Sequence, residues 1–107
     1  MYLNTVKIIF IQPGIGEADG HLFPVRSLQM RTIDIFIARN VAVGRFIALY
    51  DKLYEIYKTV GTLEIICAGE QLVIRFTQKD YEIGTIHKND VLSNLEELDY
   101  VVKDVVE

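Results

Sequence analysis

Alternation of apolar and polar side chains marks several extended segments. Thr5 to Gln12 reads Thr-Val-Lys-Ile-Ile-Phe-Ile-Gln, with Val6, Ile8 and Phe10 on one face and Lys7, Ile9 and Ile11 on the other. This predicts a strand with one face buried and the other partly so. Thr32 to Ala38 alternates more cleanly, Ile33, Ile35 and Ile37 against Thr32, Asp34 and Phe36. His21 to Met30 is ambiguous, because Pro24 suits either the first turn of a short helix or an edge strand.

Thr62 to Thr77 carries its own register. Ala68-Gly69-Glu70-Gln71 offers Gly at the first central position of a type II′ turn, so Cys67 should oppose Leu72, Ile66 Val73, Ile65 Ile74, Glu64 Arg75 and Leu63 Phe76. One face is then wholly apolar, and the other carries the opposite-charge pair Glu64/Arg75. Tyr81 to His87 is expected to add a third strand to this meander through Gln78-Lys79-Asp80.

Between these extended segments the period changes to that of a helix. Val43, Phe46, Ile47, Tyr50, Leu53, Tyr54, Tyr57 and Val60 recur at helical spacing over Val41 to Val60, with Asn40 as an N-cap and Gly61 in the left-handed position past the end. With Leu49 and Ile56 the apolar arc covers about half the circumference, whereas one sheet contact needs a stripe of only about 100°. The flanks, Leu49 and Ile56 on one side and Ile47 and Tyr54 on the other, are therefore expected to meet a second subunit, a partner protein or the C-terminal segment folded back. A short C-terminal helix is expected over residues 90–98, with Ser93 to Glu96 as a capping box; Tyr100 to Val106 favours strand by propensity. The fold class is α+β: one domain over residues 1–107, a mainly antiparallel sheet, one long amphipathic helix packed on one face and a short C-terminal helix.

Composition narrows the class. In 107 residues, 50% are apolar, too many for a disordered chain, and there is room for one core only. A single Cys excludes an intramolecular disulfide, no apolar run is long enough to span a bilayer, and the start lacks the pattern of a signal peptide. A reducing, cytoplasmic setting without membrane attachment is expected. So much apolar surface on so small a domain points to self-association.

Candidate chemistry is sparse. The loop Gly14–Gly20 follows a hydrophobic strand, as a dinucleotide-binding turn would, but Asp19 stands where the third Gly belongs and two carboxylates would face the anion. Glu17, Asp19 and His21 alternate in that loop, with His87 as a distant fourth ligand; a solvated polar loop is the simpler reading. Cys67 is expected buried on the apolar hairpin face and inert, and no Ser or Cys sits in a nucleophile motif. No catalytic residue, metal or cofactor is therefore assigned. Arg26, Arg31, Arg39 and Arg45 crowd one stretch holding a single acid, Asp34, while Asp90, Glu96, Glu97, Asp99, Asp104 and Glu107 crowd the C-terminal end. The four Arg are candidate anion ligands, or they meet the acidic segment within or between subunits. A net charge of -4 argues against duplex nucleic acid. Tyr50, Tyr54 and Tyr57 form a stripe that suits a core or an interface.

The expected function is a small non-enzymatic protein-interaction module (a regulator, inhibitor or immunity-type protein) that forms a homo-oligomer and occupies a partner protein's surface. The alternative is a small-molecule or phosphate-ligand domain or enzyme using the Gly14–Gly20 loop and nearby Arg. A third class is a single-strand or RNA-binding module using exposed Tyr and Arg. A deep pocket with convergent polar groups would favour the second class, an apolar face the first.

Overall fold

The structure, a computed structural model, describes residues 7–10 and 31–107. The expected loop Gly14–Gly20, the Glu17/Asp19/His21 set, the segment His21 to Met30 and Arg26 lie outside the described residues. The elements are β1 (Lys7–Phe10), β2 (Thr32–Ile37), α1 (Val43–Tyr57), β3 (Gly61–Ala68), β4 (Gln71–Gln78), α2 (Lys88–Leu95), a 3-10 segment (Glu96–Val101) and β5 (Val102–Val106). The fold is α+β. The sheet order is β1-β3-β4-β2-β5; β1 runs parallel to β3, and the other three pairings are antiparallel. α1 thus joins two strands, β2 and β3, that run in the same direction on either side of β4, a connection that a hairpin turn cannot make.

The β3–β4 register follows the turn. Cys67 pairs with Leu72, Ile66 with Val73, Ile65 with Ile74, Glu64 with Arg75 and Leu63 with Phe76. Gly69 lies at φ +63 while Glu70 is not at positive φ, the pattern that a type II′ turn demands. Burial is less one-sided than the alternation suggests. Ile65, Ile74 and Phe76 are fully buried, Leu63 and Leu72 only partly so, and Ile66 and Val73 are buried on the other face, outside the main apolar cluster. Cys67, expected buried, is only partly buried beside the turn.

That cluster gathers Ile33, Ile35 and Ile37 of β2 with Phe46, Leu49, Tyr50, Leu53 and Tyr57 of α1. Val91, Leu95 and Val101 close it from the C-terminal side. Tyr57 stacks obliquely on Phe76 at 4.9 Å, and its hydroxyl accepts a hydrogen bond from Asn94 Nδ2 at 3.0 Å. Burial pushes the Tyr50 and Tyr57 hydroxyls above the ordinary tyrosine range.

Several expectations are corrected. α1 covers residues 43–57 rather than 41–60. Asn40 is not its N-cap: it sits at φ 61 in the preceding turn, a conformation Asn tolerates well, and Ala42 occupies the cap without a side-chain bond. Gly61 is not a helix stop but the first residue of β3. There a Cβ would lie 2.2 Å from the Thr77 carbonyl oxygen, so the strands close only around glycine. Tyr81 to His87 is not a strand, because both edges of β4 are already taken by β3 and β2. Gln78, fully buried, supplies the pairing that a ladder would: its Nε2 donates to the carbonyls of Asp80 (3.0 Å) and Gly84 (2.8 Å), and its Oε1 accepts from Ile86 N–H (2.9 Å). The capping box at Ser93 is absent. α2 begins after His87, whose N–H is held by Asp90 Oδ2 at 2.8 Å, and Ser93 Oγ donates to the Asp90 carbonyl inside the helix.

Candidate functional site

The strand directions create two distinct ends of the sheet. At one end β2 finishes, the β3–β4 turn folds back, and α1 begins. Gln71 Nε2 donates to the Ile37 carbonyl at 3.0 Å and ties that turn to the end of β2. A cleft of about 290 Å³ opens there, at the lower limit of ligand-sized cavities. Its walls include Ile37, Val41, Val43, Phe46 and Leu72, and Arg39, Asn40 and Glu70 also line it. Val43 is 72% exposed, at the first turn of α1. Arg39 and Glu70, 78% and 88% exposed, approach each other to 3.8 Å.

The opposite end holds a polar knot. Arg31 donates to Glu107 Oε1 at 2.5 Å and to the Ile86 carbonyl at 3.3 Å. Lys88 N–H, at the start of α2, donates to Glu107 Oε2 at 2.8 Å, and His87 Nδ1 lies 3.3 Å from Oε1. The Lys88 amide first, and the Arg31 guanidinium next, hold the Glu107 carboxyl down to about 2.

The structure therefore separates the anion-ligand candidates. Arg31 is tied to Glu107 and Arg39 lies beside Glu70. Arg45 lies with Ala48, Glu97, Leu98 and Tyr100 in a shallow depression elsewhere. Among the described residues these three never converge on one cavity. Arg75, left out of the set, makes the best-formed ion pair. Its Nε and one terminal nitrogen bind the two oxygens of Asp34 at 2.7 and 3.0 Å, and that bond holds the guanidinium pKa above its ordinary value. The hairpin pairing with Glu64 held in register, yet the guanidinium turns to Asp34, its register partner on β2.

The interface candidates also divide. Leu49 is completely buried in the core of this chain and presents no surface to another molecule. The C-terminal chain folds back beside α1: Val101 is fully buried, Leu98 partly, in the cluster that also holds Leu49, and Lys52 Nζ reaches Glu96 at 2.6 Å. Ile56 remains 38% exposed, and Ile47 and Tyr54 are half-buried. Tyr54 stacks on Tyr50 at 6.2 Å and lies under Lys58 Nζ at 5.7 Å. Val43 was missed: it opened the apolar series, but spacing alone does not tell that the buried arc begins one turn later, at Phe46.

Among the described residues no group of three or more His, Cys, Asp and Glu is placed to hold a metal ion. No helix there is long and apolar enough to cross a membrane. Comparison with family models, with curated proteins and with solved structures returns no match.

Proposed function

We propose that this chain is a non-enzymatic protein-interaction domain that associates with itself and acts by covering a partner's surface. The observation that carries the reading is the cleft at the start of α1, where an exposed Val43 stands beside Phe46, Val41 and Leu72. An apolar centre with a polar rim is the arrangement in which protein interfaces concentrate their binding energy. In this reading α1 lies along one face of the sheet through Phe46, Leu49, Leu53 and Tyr57, and its N-terminal end stays available. The phosphate-ligand alternative draws less support. Arg31 and Arg39 each have a carboxylate within ion-pair distance, Arg45 shares its depression with Glu97, and a carboxylate next to a cation competes with any incoming anion.

Two measurements on the full chain test the reading. Light scattering after size exclusion, over a wide range of concentration, is expected to give a mass above that of one subunit. Titration with inorganic phosphate, or with a short single-stranded RNA, is expected to give no saturable signal, and Arg39→Gln with Arg45→Gln is expected to change nothing in it. A monomer at every concentration, or saturable phosphate binding lost in that double variant, overturns the proposal.

A further inference from the structure

Resting on the self-association reading, we infer that the occupant of the cleft at the start of α1 is a second copy of this chain. The two copies dock about a two-fold axis, so that Val43 of each covers the other's cleft and Arg39 of each meets Glu70 of the other. A two-fold contact uses the same patch on both partners, so that patch must hold both a projecting and a receiving element. Val43, 72% exposed, projects from the very surface into which the cleft opens.

The charges on the rim carry the choice of partner. Arg39 and Glu70 are both well exposed and 3.8 Å apart, a separation and exposure at which an ion pair contributes almost nothing to a lone subunit. They give the rim one positive and one negative group. An acidic or a basic partner would leave one of them opposed by its own sign. A second copy brings one of each, and the two-fold axis places unlike charges together in an alternating ring of four. Docking also removes water from these pairs, which strengthens them relative to the exposed state. The subunits each carry a net charge of -4, so the neutrality of this patch is what lets them approach.

The experiment uses light scattering and sedimentation equilibrium on five samples of the full chain, with circular dichroism to follow the fold. They are the wild type, Val43→Asp, Arg39→Glu, Glu70→Arg, and an equimolar mixture of the two charge variants. Val43→Asp is chosen because an acidic residue in the first turn of a helix is favoured by the dipole, so a loss of mass reports the interface and not the fold. The wild type is expected to dimerise, and each single variant to dissociate at least tenfold more readily with its circular dichroism unchanged. In either charge variant alone the ring holds like charges on both sides. Mixed, the variants oppose unlike charges at both contacts between copies and keep like charges only within each copy, so dimer mass is expected to return. Only pairing between copies predicts that recovery; a contact within one subunit does not. A wild-type dimer indifferent to Val43→Asp overturns the proposed surface and leaves self-association standing. Failure of the mixture to recover overturns the two-fold arrangement. A wild type that remains monomeric overturns both this inference and the reading beneath it.

Discussion

Gly61→Ala is expected to cost about 2–5 kcal/mol. A Cβ at residue 61 would lie 2.2 Å from the Thr77 carbonyl oxygen and 2.7 Å from Phe76 Cε1, where ordinary contact begins at 3.4 Å. The backbone of β4 must retreat by more than an ångström, or Phe76 must leave a fully buried position. Overpacking of this kind costs about 1–3 kcal/mol. Opening the end of the β3–β4 ladder, where Gly61 pairs with Gln78, adds the loss of one or two hydrogen bonds at about 1 kcal/mol each. For a domain of this size the total corresponds to a fall of about 10–25 °C in Tm. Two other glycines separate crowding from conformation. Gly69→Ala meets nothing within 4 Å but must hold φ +63, at a cost of about 1 kcal/mol. Gly44→Ala, open and in the first turn of α1, is expected to be neutral or to stabilise by up to about 1 kcal/mol. Urea and thermal unfolding followed by circular dichroism measure all three. If Gly61→Ala proves no worse than Gly69→Ala, close strand approach is not why glycine stands there.

Gln78→Leu strips partners from Ile86 N–H and the Asp80 and Gly84 carbonyls; it is expected to cost about 2–4 kcal/mol and to speed amide exchange selectively over residues 79–87. Leu49→Ala is expected to cost about 2–5 kcal/mol, as for a fully buried leucine, so it should unfold the subunit rather than selectively dissociate an assembly. Glu107→Gln tests the knot at the far end of the sheet. The folded carboxyl is depressed to about 2 from an ordinary 4.5, so its contribution is complete above pH 4.5 and disappears as pH falls through 2. The Tm advantage of the wild type over that variant should follow the same course, and an advantage persisting at pH 1.5 would refute the assignment.

Local periodicity made some elements legible and left others hidden. The β3–β4 hairpin could be aligned residue by residue because Gly69 fixes the turn and a two-residue loop leaves no freedom in register. The face of β2 was equally plain, since three isoleucines alternate with Thr32, Asp34 and Phe36. What the pattern could not carry was adjacency between distant segments. Nothing in Tyr81 to His87 announces that β4 has no edge left for it, and only the place of β2 in the sheet settles that. The same gap hid the Asp34–Arg75 pair, which spans 41 residues, and the burial of Gln78, a residue type that usually faces water. For the candidate site, the breadth of the apolar arc on α1 rightly implied more than one neighbour. It could not say that the C-terminal chain takes one of those places, nor that the exposed end is Val43.

The order of the strands also dictates an order of events as the chain is made. Strand β2 lies between β4 and β5, both of which follow it in the sequence, and β1 pairs with β3, which also follows it. Neither early strand has a neighbour until residues 61–78 have left the ribosome, and until then Ile33, Ile35 and Ile37 have no sheet to enter. The hairpin β3–β4, by contrast, closes through an adjacent turn within microseconds, far faster than residues are added. It is thus placed to serve as the template on which the earlier strands assemble backwards. A nascent chain halted near residue 60 carries β2 with neither neighbour; one extended past residue 78 can pair it with β4, and its second edge waits for β5.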